Sequence, residues 1–179
     1  ADVVQMGLQS AKAIDGLKGV RFFSGPVTGT TGAQVALTGL YYQKTDFKGA
    51  PTNRVPLTKL QWVGDPAVTD PKSPKHMDNA RKVRLAMAMS IDRESLVRNI
   101  LAGQGQPQYI WNFGPGHPRW TPEIAKKYTI PYDTAGAKKL LAEAGYPNGF
   151  DFEFWIPSGL TDVLVNLCQA MVPMFQAAG

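Results

Sequence analysis

Apolar residues recur at helical spacing in four stretches of the chain and at two-residue spacing in others. In 78–89, Ala80, Val83, Ala86 and Met87 share one stripe. Asp78 or Asn79 is placed to accept the free backbone N–H groups at its start. A second helix is expected over 93–102, with Leu96, Val97, Ile100 and Leu101 as its buried stripe. Ser90 or Asp92 serves as its cap, Glu94 favours its first turn, and Gly103 supplies the left-handed residue that ends it. The tight Ser90-Ile91-Asp92 joint therefore breaks one helix and starts the next.

The clearest local grammar lies in "YDTAGAKKLLAEAGYPNGFDFEFWI". Asp133 is the expected N-cap of a helix over 134–144, and Ala137, Leu140, Leu141 and Ala144 form its inner face. Gly145 ends it, Pro147 follows, and Asn148-Gly149 makes a turn. Strict alternation then predicts a strand over 150–156, with Phe150, Phe152, Phe154 and Ile156 on one face. A last helix over about 161–177 would bury Leu164, Leu167, Cys168, Met171 and Phe175, with Pro173 kinking it or limiting its final turn.

Three further strands are expected near the start, in "ADVVQMG", "VRFFSGPV" and "AQVALTGLYYQ", with a short helix or turn in "LQSAKAIDGLKG". In the third strand, Val35, Leu37, Gly39 and Tyr41 alternate with Ala36, Thr38, Leu40 and Tyr42. Residues 46–76 hold Pro51, Pro56, Pro66, Pro71 and Pro74 and read as one long loop. Leu57, Leu60 and Trp62 offer a short strand or an apolar anchor within it. The fold class is α/β.

Composition narrows the picture. Hydrophobic residues make up 44% of the 179-residue chain, which suits a globular core. No run of about 18 apolar residues spans a membrane. The chain starts without an initiator methionine or a signal-like segment and stops just past a helix, so it is expected to be a piece of something longer. The net charge of +5 is modest. Lys72, Lys75, Arg81, Lys82 and Arg84 cluster, as a phosphate contact or as a solvated helix start, and no aromatic nucleic-acid motif accompanies them.

Catalytic chemistry has little to work with. His76 and His117 sit in loops without a second histidine at metal spacing, and Cys168 lacks a histidine partner. "GPGHP" lacks the Gly-Lys-Ser/Thr ending of a phosphate loop. Asp46, Asp65 and Asp70 read as turn formers. No catalytic residue, metal site or cofactor is expected. The aromatic loop "QPQYIWNFGPGHPRW" admits two readings. Tyr109, Trp111, Phe113 and Trp120 plug the surface beneath it, or some of them line a ligand cleft.

Two long motifs then stand in order. In the first, Val83, Arg84, Ala86, Ile91, Asp92, Arg93, Glu94, Leu96, Val97, Leu101, Gly103, Gly105 and Pro107 fit "VRxAxxxxIDRexlvxxxlxGxGxP". In the second, Tyr132, Asp133, Ala137, Lys138, Leu140–Pro147, Gly149 and Phe150 fit "YDxxxAKxLLAEAGYPxGF". The chain thereby resembles the family 5 extracytoplasmic solute-binding proteins of ABC transporters, which serve dipeptides, oligopeptides, nickel complexes and some sugars. Gly136 departs from it, standing where the family prefers a better helix former.

The resemblance implies a fragment of a two-lobed periplasmic-binding-protein-like fold of class II, the large three-domain type. Residues 1–45 would end the first lobe and include the crossing strand, and 46–179 would form the first half of the second lobe. It implies a non-catalytic, periplasmic or extracytoplasmic component that captures a peptide or other small polar solute and delivers it to the permease subunits of the transporter. Tyr41, Tyr42, Trp111, Asn112 and Phe113 would lie at the ligand cleft, and Arg93 and Glu94 would serve the scaffold. Rival readings are a ligand sensor or chaperone on the same fold, or a small α/β enzyme.

Overall fold

The computed structural model describes residues 18, 34–40, 42, 45–46, 48–52, 56–110, 113–115, 117–156 and 162–179. The expected elements over "ADVVQMG", "LQSAKAIDGLKG" and "VRFFSGPV" lie outside the described residues, apart from Lys18 in the second. Five helices follow in order: α1 (Met77–Met89), α2 (Arg93–Asn99), α3 (Pro122–Tyr128), α4 (Thr134–Glu143) and α5 (Asp162–Ala178). Among the described residues only two isolated antiparallel bridges occur, Thr45 with Pro51 and Ile110 with Phe113. The chain divides into two compact units, one holding residues 93–129 and the N-terminal part of α5, the other 34–92, 130–158 and 168–179.

The second unit is built on α1 against α4. Ala80, Val83, Ala86 and Met87 on α1 and Ala137, Leu141 and Ala144 at α4 are all buried, as the periodicity predicts. Small residues on both faces let the two helices approach closely. The backbone N–H of Asp133 donates to the Met89 carbonyl at 3.0 Å, joining the end of α1 to the start of α4. Lys82 Nζ lies 3.4 Å from Glu143 Oε2 across the pair, and with both side chains more than a third exposed it contributes about 0–1 kcal/mol.

Helix ends follow local chemistry, with two corrections. The cap of α1 is His76, whose Nδ1 accepts from the Asp78 N–H at 3.3 Å, rather than Asp78 or Asn79. Asn79 is buried, and its amide donates to the carbonyls of Pro71 and Ser73 at 2.9 and 2.8 Å. Ser90 closes α1 rather than capping α2, since both its N–H and its hydroxyl donate to the Ala86 carbonyl. At α4 the expectation holds: Asp133 Oδ1 accepts from the Gly136 N–H at 2.8 Å. Tyr146 N–H reaches the Leu141 carbonyl and Gly145 N–H the Ala142 carbonyl, the paired bonds of a Schellman ending, with Gly145 at φ 93°.

Gly136, the departure from the family pattern, has a physical reason. A Cβ there would collide with the Asp133 carboxylate that caps the helix and would lie 2.8 Å from Met89 Cε. The gain in helix propensity from alanine is about 1 kcal/mol. A lost cap costs about as much.

α2 is shorter than expected and ends at Asn99. Only Leu96 of its stripe is buried, while Val97, Ile100 and Leu101 are half-buried. The chain leaves through left-handed Ala102 and Gly103, with Gly103 N–H on the Val97 carbonyl at 2.9 Å. α3 was not anticipated, although Thr121 caps it, Pro122 opens it and Glu123 sits in its first turn. α5 runs through an exposed Pro173 to Ala178 and buries Leu167, Met171, Phe175 and Ala178. Leu164 and Cys168 are only half-buried.

The expected strand over 150–156 is corrected to an unpaired extended segment. Its alternation is real: Phe152, Phe154 and Ile156 turn inward while Asp151, Glu153 and Trp155 are exposed. Phe152 and Phe154 lie edge-on to Phe175 of α5 at 5.3 and 5.9 Å. A ladder needs a neighbour's carbonyls and N–H groups, and no such partner lies beside it among the described residues. Residues 34–40 behave alike, with Val35, Leu37 and Gly39 inward and no ladder. Trp62 connects to both segments, its indole N–H donating to the Thr38 carbonyl at 2.8 Å and its ring standing 6.1 Å from Phe152. The 46–76 loop is thus an anchor through buried Trp62 and Val63 rather than a strand.

Candidate functional site

Polar loop residues that could have carried chemistry are held by the backbone. Asp46 Oδ1 accepts from the N–H groups of Lys48 and Ala50, Asp65 Oδ1 from Ala67, and Asp70 Oδ1 from Lys72, at 2.8–2.9 Å. These are Asx turns, as the sequence suggests. The basic cluster is fastening too. Lys75 Nζ donates to the Lys59 and Leu60 carbonyls, and partial burial lowers its pKa. Arg84 donates to the Trp62 carbonyl at 2.7 Å, and Lys82 pairs with Glu143. Three of its five cations are therefore committed to holding the loop and α4.

The two histidines are likewise engaged. His76 caps α1, and His117 Nδ1 accepts from the Arg119 N–H at 3.1 Å while its ring meets Phe113. Among the described residues no group of three His, Cys, Asp or Glu side chains is arranged to hold a metal. Burial pushes the Cys168 thiol up, which disfavours the reactive thiolate.

The aromatic loop is the most built feature of the first unit. Leaving α2, the chain turns at Gly103 and Gly105, both at positive φ. Tyr109 then lies beneath Arg93, whose guanidinium carbon is 5.5 Å from the ring centroid. Burial lowers the Arg93 pKa, and the interaction with Tyr109 acts in the opposite sense. Ile110 and Phe113 pair across two intervening residues, with Phe113 N–H on the Ile110 carbonyl at 3.1 Å. Phe113 stands edge-on to His117 and Trp120, at 4.9 and 5.3 Å between centroids. A Cβ at buried Gly114 would come 3.2 Å from Gln108 Cγ, so the two flanks of this turn touch.

Of the expected site residues, Phe113 is the centre of this aromatic cluster, half-buried under its own loop. Tyr42 belongs to the other unit, where its hydroxyl donates to the Gly64 carbonyl at 2.9 Å and ties the extended segment to the Trp62 turn. Tyr41, Trp111 and Asn112 lie outside the described residues. Sequence reading passed over the Arg93–Tyr109 pair. Its signal, an arginine at the first turn of α2 and an aromatic just beyond the "GQGQP" turn, is visible only once the chain is known to double back.

Residues 27–179 match the family described as bacterial extracellular solute-binding proteins, family 5 Middle, and the chain belongs to that family. Membership implies a periplasmic-binding-protein-like fold, of which the described residues are a helix-rich part. Over 81 residues the chain is 38% identical to heme-binding protein A of Haemophilus influenzae, a match covering 42% of this chain and 13% of that protein. It is 38% identical over 81 residues to the glutathione-binding protein GsiB of Pectobacterium atrosepticum and 40% identical over 82 residues to that of Shigella flexneri. Each of those matches covers 45% of this chain and 15% of the relative, so the shared segment is a small part of the curated proteins. No solved structure matches the chain significantly. Among the described residues no helix is long and apolar enough to cross a membrane.

Proposed function

We propose that this chain is part of the solute-binding component of an ABC importer, acting outside the cytoplasmic membrane. The component captures a small polar solute, does no chemistry on it, and hands it to the permease subunits. The observation that carries this reading is the family match over residues 27–179, which includes both long motifs. The tying of histidines, aspartates and the basic cluster into caps and turns supports the non-catalytic part of it.

The solute we favour is peptide-like. The relatives named for glutathione, itself a tripeptide, support that class, while the relative named for haem widens it. In this reading residues 1–45 end the first lobe and include the crossing strand, and 46–179 begin the second. Tyr41, Tyr42, Trp111, Asn112 and Phe113 line the cleft of the whole protein. Closure of the lobes over the solute is then favoured by the contacts that only the closed state makes.

Native mass spectrometry of the intact protein as purified tests the reading, followed by calorimetry with reduced glutathione, unmodified di- and tripeptides, and haem. A retained peptide-sized solute, with affinity lost in Tyr42→Ala and Trp111→Ala, supports it. Preference for haem would replace the peptide class and leave the transport role. Failure to hold any solute would end the reading, and so would intact affinity in both variants for the assigned site.

A further inference from the structure

We propose that Arg84 is a positioning residue for Tyr42: by holding the Trp62 carbonyl it fixes the stretch to which Tyr42 is tied, and so sets how the Tyr42 ring stands at the solute site. The site role of Tyr42 rests on the reading above. The hold of Arg84 on the stretch does not.

Three hydrogen bonds join residues 57–64 to the extended segment before them. Leu57 N–H donates to the Gly39 carbonyl at 3.0 Å. The Trp62 indole N–H donates to the Thr38 carbonyl at 2.8 Å, and the Tyr42 hydroxyl donates to the Gly64 carbonyl at 2.9 Å. The two backbones also touch, since a Cβ on Gly39 would stand 2.9 Å from Leu57 Cβ. Tyr42 therefore stands where this stretch puts it.

The stretch in turn is seated on α1. A Cβ on Gly64 would come 2.9 Å from Met77 Cα, so the backbone there lies directly against the first residue of the helix. Arg84, about two turns further along, donates to the Trp62 carbonyl at 2.7 Å. A bond from a charged donor is roughly twice as strong as a neutral one. Its base is rigid, because Val83 and Ala86 beside it are wholly buried. Arg84 takes hold of the same residue whose ring reaches Thr38, so α1 is linked to the extended segment through both ends of Trp62. Lys75 grips the stretch elsewhere, at the Lys59 and Leu60 carbonyls, at 3.3 and 3.1 Å.

Nuclear magnetic resonance of the intact protein with labelled tryptophan follows the Trp62 indole proton, assigned by its loss in Trp62→Phe. Arg84→Met should speed its exchange with water about tenfold, with the amides of α4 exchanging as in the parent. Calorimetry with reduced glutathione reads the consequence for the site. Arg84→Met should weaken binding about tenfold in the parent protein and leave it unchanged in Tyr42→Ala, where no ring remains to be placed. Unchanged indole exchange in Arg84→Met overturns the proposal, and so does an equal loss of affinity with and without the Tyr42 side chain. Should Arg84→Met not fold, Trp62→Phe cuts the next link, and glutathione affinity equal to the parent's overturns the proposal. Tyr42→Ala binding as tightly as the parent would sink the site reading of Tyr42 and with it the site role of Arg84, while the indole result still decides its hold on the stretch. A parent that ignores glutathione counts against the peptide class alone, and haem then takes its place as the probe.

Discussion

Asn79 stands at the start of α1, where a helix-capping residue is expected, yet it looks backward into the loop. Its buried amide donates to two carbonyls of that loop, those of Pro71 and Ser73. Replacing it with alanine removes both bonds, although the Ser73 carbonyl keeps the His76 N–H at 2.9 Å. Asn79→Ala should lower stability by about 2 kcal/mol, read as a shift in urea midpoint at constant slope. Gly145 poses the opposite problem, because it offers nothing but the absence of a side chain. Its φ of 93° is strained for any L-residue, and a Cβ would stand 2.6 Å from Pro74 Cγ. Gly145→Ala should cost about 2 kcal/mol from the left-handed backbone alone, with the Pro74 contact adding to it. A urea midpoint equal to that of the parent would show that the α4 ending relaxes freely.

Elements differ in how much of their cause is local, and that difference explains which were legible beforehand. The α4 unit was read almost to the residue, since the Asp133 cap and the Gly145 ending act within one turn of the chain. The α1 cap was misread because His76 does the work usually done by Asp, Asn, Ser or Thr. α3 carried an ordinary signal, Thr121-Pro122-Glu123, overshadowed by the aromatic loop before it. The 150–156 strand failed for a different reason. Alternation describes one strand's two faces, whereas a ladder requires a second backbone, and no periodicity within the segment specifies that partner. At the candidate site the aromatic loop was legible as composition, but the contacts of Phe113 with Trp120 and of Tyr109 with Arg93 join residues across turns. Tyr42 was placed by family order, and its hydroxyl's attachment to Gly64 was beyond any local pattern.

α5 allows a check at the same scale. Cys168 lies on it beside buried Leu167 and Met171, and burial raises its thiol pKa. A folded-state pKa above the unfolded one means that the folded chain holds the proton more tightly. That contribution to stability is complete below the ordinary thiol range and fades as pH rises through it, about 8.5 and above. Alkylation by iodoacetamide at pH 8 should accordingly be slower than for the same chain in urea. Equal rates would mean that this part of α5 opens faster than the reagent reacts.

At the scale of the molecule, extended backbone and exposed apolar surface point the same way. The 151–156 segment presents an unpaired extended backbone among the described residues, and Trp155 within it is 81% exposed. Open extended edges and large exposed aromatics favour association. The matched segments are also only 13–15% of the relatives' length. If the solute is held between two lobes, the 179 residues by themselves present part of one wall. Small-molecule sites bury about 70–90% of their ligand. Losing about 4 kcal/mol of those contacts weakens binding roughly a thousandfold. The isolated chain should therefore bind reduced glutathione far more weakly than the intact protein, and should sediment as a concentration-dependent mixture rather than as a monomer. Calorimetry and sedimentation on both forms compare the two directly. Equal affinity from a strictly monomeric 179-residue chain would place the whole site within these residues, and the two-lobed trap would have to be given up.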